Sequence, residues 1–307
     1  MLKDPICSFR SWLREPNAHH AYWICGASGS GKSTLIQSIA AQEDDDNEIK
    51  AIVVTLAPSP SGSQRSRAVD IYRCIMYEVL RSYRYLVPLI FPRAWSKAYC
   101  NSLGYAATRD TARAARPTSD QGPLSWGLEQ LEKAVDWLFN QDIIPFRACL
   151  LIDGLDEYLP KSHAEDNTAN AEIDALLGRI TRAAWPNAKC GVATRPSLTF
   201  SAAFEDCPSL RMAELTGPAI RRCALDCLSS HEAFRCGVRG LNEHNALRQC
   251  VAEIAAAADG VFLWAEMAVS AAMRDHKEGD GMRKLRGKIR GFPRRLEDSC
   301  GRSSAAA

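Results

Sequence analysis

Two short stretches hold residue types that do chemistry together. The first is GASGSGKST, residues 26–34. Its Gly26, Gly31, Lys32 and Ser33 fill every fixed position of the pattern G-x-x-x-x-G-K-[ST]. Glycines at such a turn let backbone N–H groups point inward around phosphate oxygens, where a side chain would collide or force a disfavoured φ. Ala27, Ser28, Gly29 and Ser30 supply the intervening amides. A helix starting near Lys32 adds the positive end of its dipole. The Lys32 ammonium then reaches the β- and γ-phosphates, the Ser33 hydroxyl ligates Mg²⁺, and Thr34 completes the nucleotide-binding set.

The second stretch is CLLIDGLDEY, residues 149–158. Four apolar residues run into three acids, an arrangement that asks for a cation or a proton to manage. Asp153 stands where a strand beside a phosphate loop ends in the acid of the Mg²⁺ shell. Asp156 and Glu157 follow on the next turn, either of them able to orient or deprotonate an attacking water. A third signal is Arg195, in ATRP (193–196) at the end of another apolar run. It is placed to approach a γ-phosphate and stabilise its charge; the alternative is a surface salt bridge.

These residues need elements to hold them. AYWIC (21–25), AIVVTLA (51–57), ACLLID (148–153) and AKCGVAT (188–194) read as strands, and LRMAEL (210–215) as a short fifth. Helical spacing fills the gaps, for example Tyr72, Ile75, Met76, Val79, Leu80 and Tyr83, or Ile173, Leu176, Leu177 and Ile180. Strands alternating with helices predict an α/β fold, a P-loop NTPase with a parallel sheet flanked by helices. After TGP (216–218) the pattern turns all-helical, so a small helical domain is expected to follow. The predicted division is a helical lead-in at 1–20, the NTPase domain at 21–217, the helical domain at 218–279, and a basic, flexible tail at 280–307. Residues 93–123 show no clean period and read as an insertion or a long surface loop.

Composition narrows the class. With 46% hydrophobic and 24% charged residues, the 307-residue chain has the make-up of a soluble globular protein. A formal charge of +2 gives no general pull toward nucleic acid, which is not expected as a partner. Residues 282–295 hold seven Lys or Arg and no acid, and read as a solvated or partner-facing segment. The twelve cysteines are scattered, without a CxxC pair and without a secretion signal ahead of them, and are expected to be reduced in a cytoplasmic protein. Cys223, Cys227 and His231 share a helix face, but their spacing fits no standard metal site, so a buried stripe is expected. The most apolar run, 254–273, is interrupted by Asp259, Gly260 and Glu266, and no membrane partner is expected.

WICGASGSGKSTL, LLIDGLDEY and GVATRP, with ADGVFLWAEMAV (258–269) downstream, resemble the NACHT family, particularly its fungal NOD-like receptor branch. The resemblance covers roughly residues 8–298; SFRSWL near the start and GFPRRLEDS near the end fit its flanking pattern. It implies a signal-transduction ATPase, switched by nucleotide exchange and hydrolysis between a closed monomer and an open oligomer. On that pattern Lys32 and Ser33 bind phosphate and Mg²⁺, Asp153 binds the metal and Arg195 is the sensor. The helices after 217 would close over the nucleotide. Two departures stand out. Ala27-Ser28 replaces a proline common in the loop, and GVFLW stands where relatives carry a Gly-x-Pro nucleotide contact. A winged-helix domain would begin about where this chain stops.

The resulting expectation is a switch that uses ATP or GTP with Mg²⁺ and works through protein partners or self-association. Two alternatives share the same loop: a small-molecule phosphotransferase, and an interaction module that holds nucleotide without turnover.

Overall fold

The computed structural model describes residues 5–15, 18–43, 49–56, 67–102, 126–158, 167–182, 185–230, 241–274 and 282–293. The chain divides into two compact units: Met1–Trp23 with Ser33–Pro208, and Ile24–Lys32 with Ser209–Ala307. The expected strands form one five-stranded sheet in the order β2-β3-β4-β1-β5. They are β1 (Ala21–Cys25), β2 (Lys50–Thr55), β3 (Ala148–Asp153), β4 (Ala188–Thr194) and β5 (Ser209–Arg211). β2 pairs parallel with β3, Thr55 opposite Asp153, and β3 pairs parallel with β4, Asp153 opposite Ala193. All of β1 is buried, and so is β3 up to its last residue, Asp153. Continuous apolar strands are what a sheet covered on both faces requires.

In the first unit, α1 (Pro5–Arg14) buries Phe9, Trp12 and Leu13. Phe9, Trp12 and Tyr22 form a three-ring cluster with centroids 5.0–5.3 Å apart. Lys189 closes the end of this helix, donating from Nζ to the carbonyls of Trp12 (2.7 Å) and Glu15 (2.5 Å). A cation there also opposes the negative end of the helix dipole.

α2 (Lys32–Glu43) follows the glycine loop, and α3 (Arg67–Ser82) follows β2. Next come the short α4 (Val87–Ile90), α5 (Pro92–Ser102) and α6 (Leu128–Asn140). α7 (Asn167–Thr181) precedes β4, and α8 (Leu198–Ala203) follows it. Arg179 of α7 joins Glu132 (3.1 Å) and Asp136 (3.4 Å) of α6, while Trp185 donates to Asp136 at 2.8 Å. Tyr72 of α3 is fully buried beside this network, and burial pushes its phenol above the usual range. A polar network of this kind fixes how three helices meet.

Where the sequence predicts an insertion or long surface loop from residue 93, residues 92–102 form a helix, and every described side chain on α5 is exposed. A helix that buries no face has no apolar stripe to reveal it. Residues 103–123 and the acidic run 44–48 lie outside the described residues.

In the second unit, β5 is only three residues long and passes directly into α9 (Met212–Ser230). The predicted boundary at 217 therefore falls inside a helix, which continues through Thr216, Gly217 and Pro218. Pro218 removes one backbone donor, and the Thr216 hydroxyl, bonding Met212 O at 2.8 Å and Gly260 O at 3.1 Å, braces the same turn. α10 (Leu241–Ala258), α11 (Phe262–Arg274) and α12 (Met282–Arg290) complete the unit. Their core holds Ile220, Leu228, Ile254 and Trp264, with Leu285 and Ile289 from the basic segment.

That segment is thus an ordered helix over Met282–Arg290 rather than a flexible tail. Two apolar residues four apart dock it, and Glu253 of α10 accepts hydrogen bonds from both Arg286 and Arg290. Those bonds lower the Glu253 carboxyl to about 2. Its folded pKa lies below the unfolded one, so the stabilisation is complete above the ordinary glutamate range and is lost as pH falls toward about 2. Glu253→Gln is expected to lower the melting temperature slightly at pH 7, because the pair is partly exposed. The variant should also flatten the melting curve's acid dependence below about pH 4. Thermal melts across pH read both effects.

The ten described cysteines are free thiols. Cys223 and Cys227 are exposed, flanking the buried stripe of Ile220, Ala224 and Leu228 instead of belonging to it. His231 lies outside the described residues, and no group of three metal-ligating residues occurs among the described ones.

Candidate functional site

The glycine loop belongs to the second unit. β1 ends at Cys25, and α2 begins at Lys32. Between them Gly29 (φ 75°) and Gly31 (φ 91°) adopt left-handed backbone that L-residues with side chains disfavour. The loop closes on itself through Ser30 N–H to Ala27 O at 3.2 Å. Lys32 Nζ donates to Gly26 O (2.8 Å) and Ala27 O (2.9 Å), so the ammonium lies folded over the loop's own carbonyls. Ser30 is 3% exposed, and its Oγ is buried without a hydrogen-bond partner. Ser28 and Gly29 are exposed.

Met212, which no sequence motif marks, and Val261, from the GVFLW run, both lie against this loop. A Cβ at Gly26 would lie 2.5 Å from Ser30 Oγ and 2.7 Å from Met212 Cβ and Cγ, so Met212 and the loop fit only without a side chain at 26. Val261 Cγ1 would be 3.6 Å from a Cβ at Gly29. Val261 is the second residue of GVFLW, and it follows the left-handed pair Asp259 (φ 44°) and Gly260 (φ 84°). Burial raises the Cys25 thiol above its usual range despite the nearby Arg211 and Lys32 cations, so it stays neutral at the loop's entrance.

The acids belong to the first unit, together with Ser33 and Thr34, which are exposed at the start of α2. Asp153 is half-buried at the mouth of β3. Gly154 (φ 86°) makes the turn after it, where a Cβ would come within 2.8 Å of Leu56 O. The Leu56 N–H donates to Asp153 O at 2.9 Å, fixing the strand end. A 3₁₀ turn, Leu155–Tyr158, buries its first and last residues, with Glu157 exposed and Asp156 partly buried between them.

Arg195 meets these acids. Its Nε is 3.1 Å from Asp156 Oδ2, and its Nη2 is 3.7 Å from Glu157 Oε1. The strand end presenting it is fixed by the fully buried Thr194, whose Oγ1 accepts from Trp23 Nε1 at 2.8 Å. The salt bridge weighed for Arg195 in the sequence therefore forms, and its partners are the two candidate water-activating acids. They are held unequally: the Asp156 side chain is 12% exposed and that of Glu157 38%.

A family model described as Nephrocystin 3, N-terminal, matches residues 6–195. No curated protein matches the chain. Among solved structures, it is similar to a chain of Drosophila ORC bound to DNA, at 13% identity and a TM-score of 0.41, covering 94% of this chain and 65% of that one. It is similar to C. elegans PCH-2 at 11% identity and a TM-score of 0.35, covering 94% and 67%. It also resembles a chain of the E. coli MS115-1 HORMA:CdnC:Trip13 complex, at 12% identity and a TM-score of 0.36, covering 94% and 83%. The chain thus spans about two thirds of the length of the first of these structures.

Proposed function

Because the chain belongs to the nephrocystin 3, N-terminal family and carries a P-loop nucleotide-binding fold, we propose that it is a nucleotide-dependent switch of NACHT type, binding ATP with Mg²⁺ and hydrolysing it slowly to control self-association or partner binding. The observation that carries this reading is the pairing of Arg195 with Asp156 and Glu157. It joins a cation suited to phosphate with the acids suited to water activation, and phosphate competes for the same guanidinium.

Each residue has a part on this reading. Lys32 exchanges the carbonyls of Gly26 and Ala27 for phosphate oxygens, and the amides of Gly29–Gly31 donate alongside it. The Ser33 hydroxyl and the Asp153 carboxylate are hard oxygen ligands, and one or two such protein ligands suit Mg²⁺, which keeps most of its waters. When bound, Mg²⁺ neutralises phosphate charge. Glu157 is the better base of the two acids: Asp156 is less accessible and sits closer to Arg195, whereas a Glu157 oxygen is open to accept a proton from water. Arg195 reports the γ-phosphate by leaving its carboxylate partners.

The test measures the nucleotide retained by purified protein, its mass in solution, and phosphate release. Glu157→Gln is expected to keep ATP binding and to lose about 100-fold or more in release, the usual contribution of a general base. Unchanged release would remove Glu157 from this role. No release from the wild type would favour a binding-only module, and phosphate appearing on an added acceptor would favour a phosphotransferase.

A further inference from the structure

We propose that an arginine-rimmed apolar groove on α3, α4 and α6 docks an acidic amphipathic helix of a partner protein. The groove encloses about 440 Å³, and its lining is almost wholly apolar. Met76 and Leu80, one helical turn apart on α3, form its floor with Val87 of α4 and Leu131 of α6. Tyr77 is 64% exposed and flanks it, with Phe91 on the other boundary.

The charged residues that line the groove are all basic, Arg73, Arg81 and Arg84, while Asp70 and Glu78 stand beside the first two without lining it. Arg73 is engaged structurally with Trp126 O at 3.1 Å and Asp70 at 3.9 Å. Arg81 is 64% exposed and holds Glu78 only at 3.4 Å, a surface pair worth little. Arg84 is exposed and three residues further on. Two outward guanidiniums beside an apolar floor complement a ligand that is apolar along one stripe and acidic at its margin.

The surroundings fit a protein partner. From Leu80 to Ser102 the chain holds Arg81, Arg84, Arg93 and Lys97 and no acid. α5, which begins next to Phe91, leaves Trp95 (45% exposed) and Tyr99 (55% exposed) on one helical face. Arginine, tyrosine, tryptophan, phenylalanine and methionine are the residues enriched in protein interfaces and their hot spots. The lining is too apolar for a nucleic-acid base or phosphate, whose polar edges would lose water without replacement. A helix laid in the groove would place apolar side chains at i, i+3 or i+4, and i+7, with Asp or Glu toward Arg81 and Arg84.

The experiment is random-peptide display selection on the full chain, followed by anisotropy titration of the selected peptide. The wild type should enrich peptides with apolar residues at helical spacing and acidic flanks. Arg81→Glu with Arg84→Glu should weaken the winner at least about tenfold, consistent with loss of two charge-assisted contacts. A Lys-for-Glu version of the peptide should regain affinity on that variant. Tyr77→Ala, at an exposed position, should weaken binding without shifting the melting temperature. The proposal is overturned by no enrichment over an unrelated bait, or by winners whose affinity ignores these substitutions. Binding to phosphatidylserine vesicles with no peptide enrichment also overturns it.

Discussion

Lys32→Ala is expected to weaken ATP binding by about 100-fold while leaving the fold intact. The ammonium makes charge-assisted hydrogen bonds to phosphate, each worth roughly 1.5–3 kcal/mol, and about 2.7 kcal/mol is a hundredfold in affinity. The same substitution removes the two bonds to Gly26 O and Ala27 O. Those carbonyls can return to water, because Gly26 and Ala27 are only half-buried. The stability cost should therefore stay near 1 kcal/mol, a shift of a few degrees in melting temperature. Isothermal titration with ATP-Mg²⁺, alongside a thermal melt, separates the two effects. Equal affinity in wild type and variant would remove the loop from nucleotide binding and the switch reading with it.

The second large effect is at Gly260. Gly260→Ala should destabilise the protein by roughly 3 kcal/mol and weaken nucleotide binding as well. The backbone there has φ 84°, and a Cβ would stand 2.9 Å from Ala213 Cα and 3.0 Å from Ala213 N. Those atoms are helix backbone, which cannot turn aside as a flexible side chain can. The turn must shift, and it carries Val261, whose amide donates to Ala258 O at 2.8 Å and whose side chain faces Gly29. Gly178→Ala is the matched control. It lies inside α7 with nothing within 4 Å of the added Cβ, so alanine there should stabilise by about 0.5–1 kcal/mol. Chemical denaturation of both variants decides the matter; a Gly260→Ala protein as stable as wild type would mean the turn is free to rearrange.

Much of this was legible before any coordinates, for a physical reason. The phosphate loop is specified by neighbours in sequence: glycines for positive φ, a lysine and a hydroxyl at fixed offsets. The acids could be read the same way, since Asp153 closes an unbroken apolar strand and Asp156 and Glu157 fall on the next turn. The difference between those two acids in exposure and in distance from Arg195, which arrives from another strand, was not legible, because it depends on how separate strand ends meet. Met212 was hidden for a related reason. It supports the loop by shape alone, and nothing in an apolar side chain's identity says what lies opposite it. α12 escaped because five basic residues masked the two apolar ones that dock it. Pro218 misled in the other direction, a helix breaker by propensity that α9 accommodates.

The grouping of Ile24–Lys32 with Ser209–Ala307 bears on how the protein can be taken apart. The residues proposed to bind phosphate lie near the start of the sequence, yet Met212 and Val261, which lie against them, come from beyond residue 208. A shortened chain ending there would keep every residue of the nucleotide motifs and still lose those supports. Deleting the helical unit is therefore not a neutral way to isolate the nucleotide-binding part. In this chain the glycine loop packs as part of the helical unit, and on the proposed function a loss of nucleotide affinity on truncation would report missing support rather than missing chemistry.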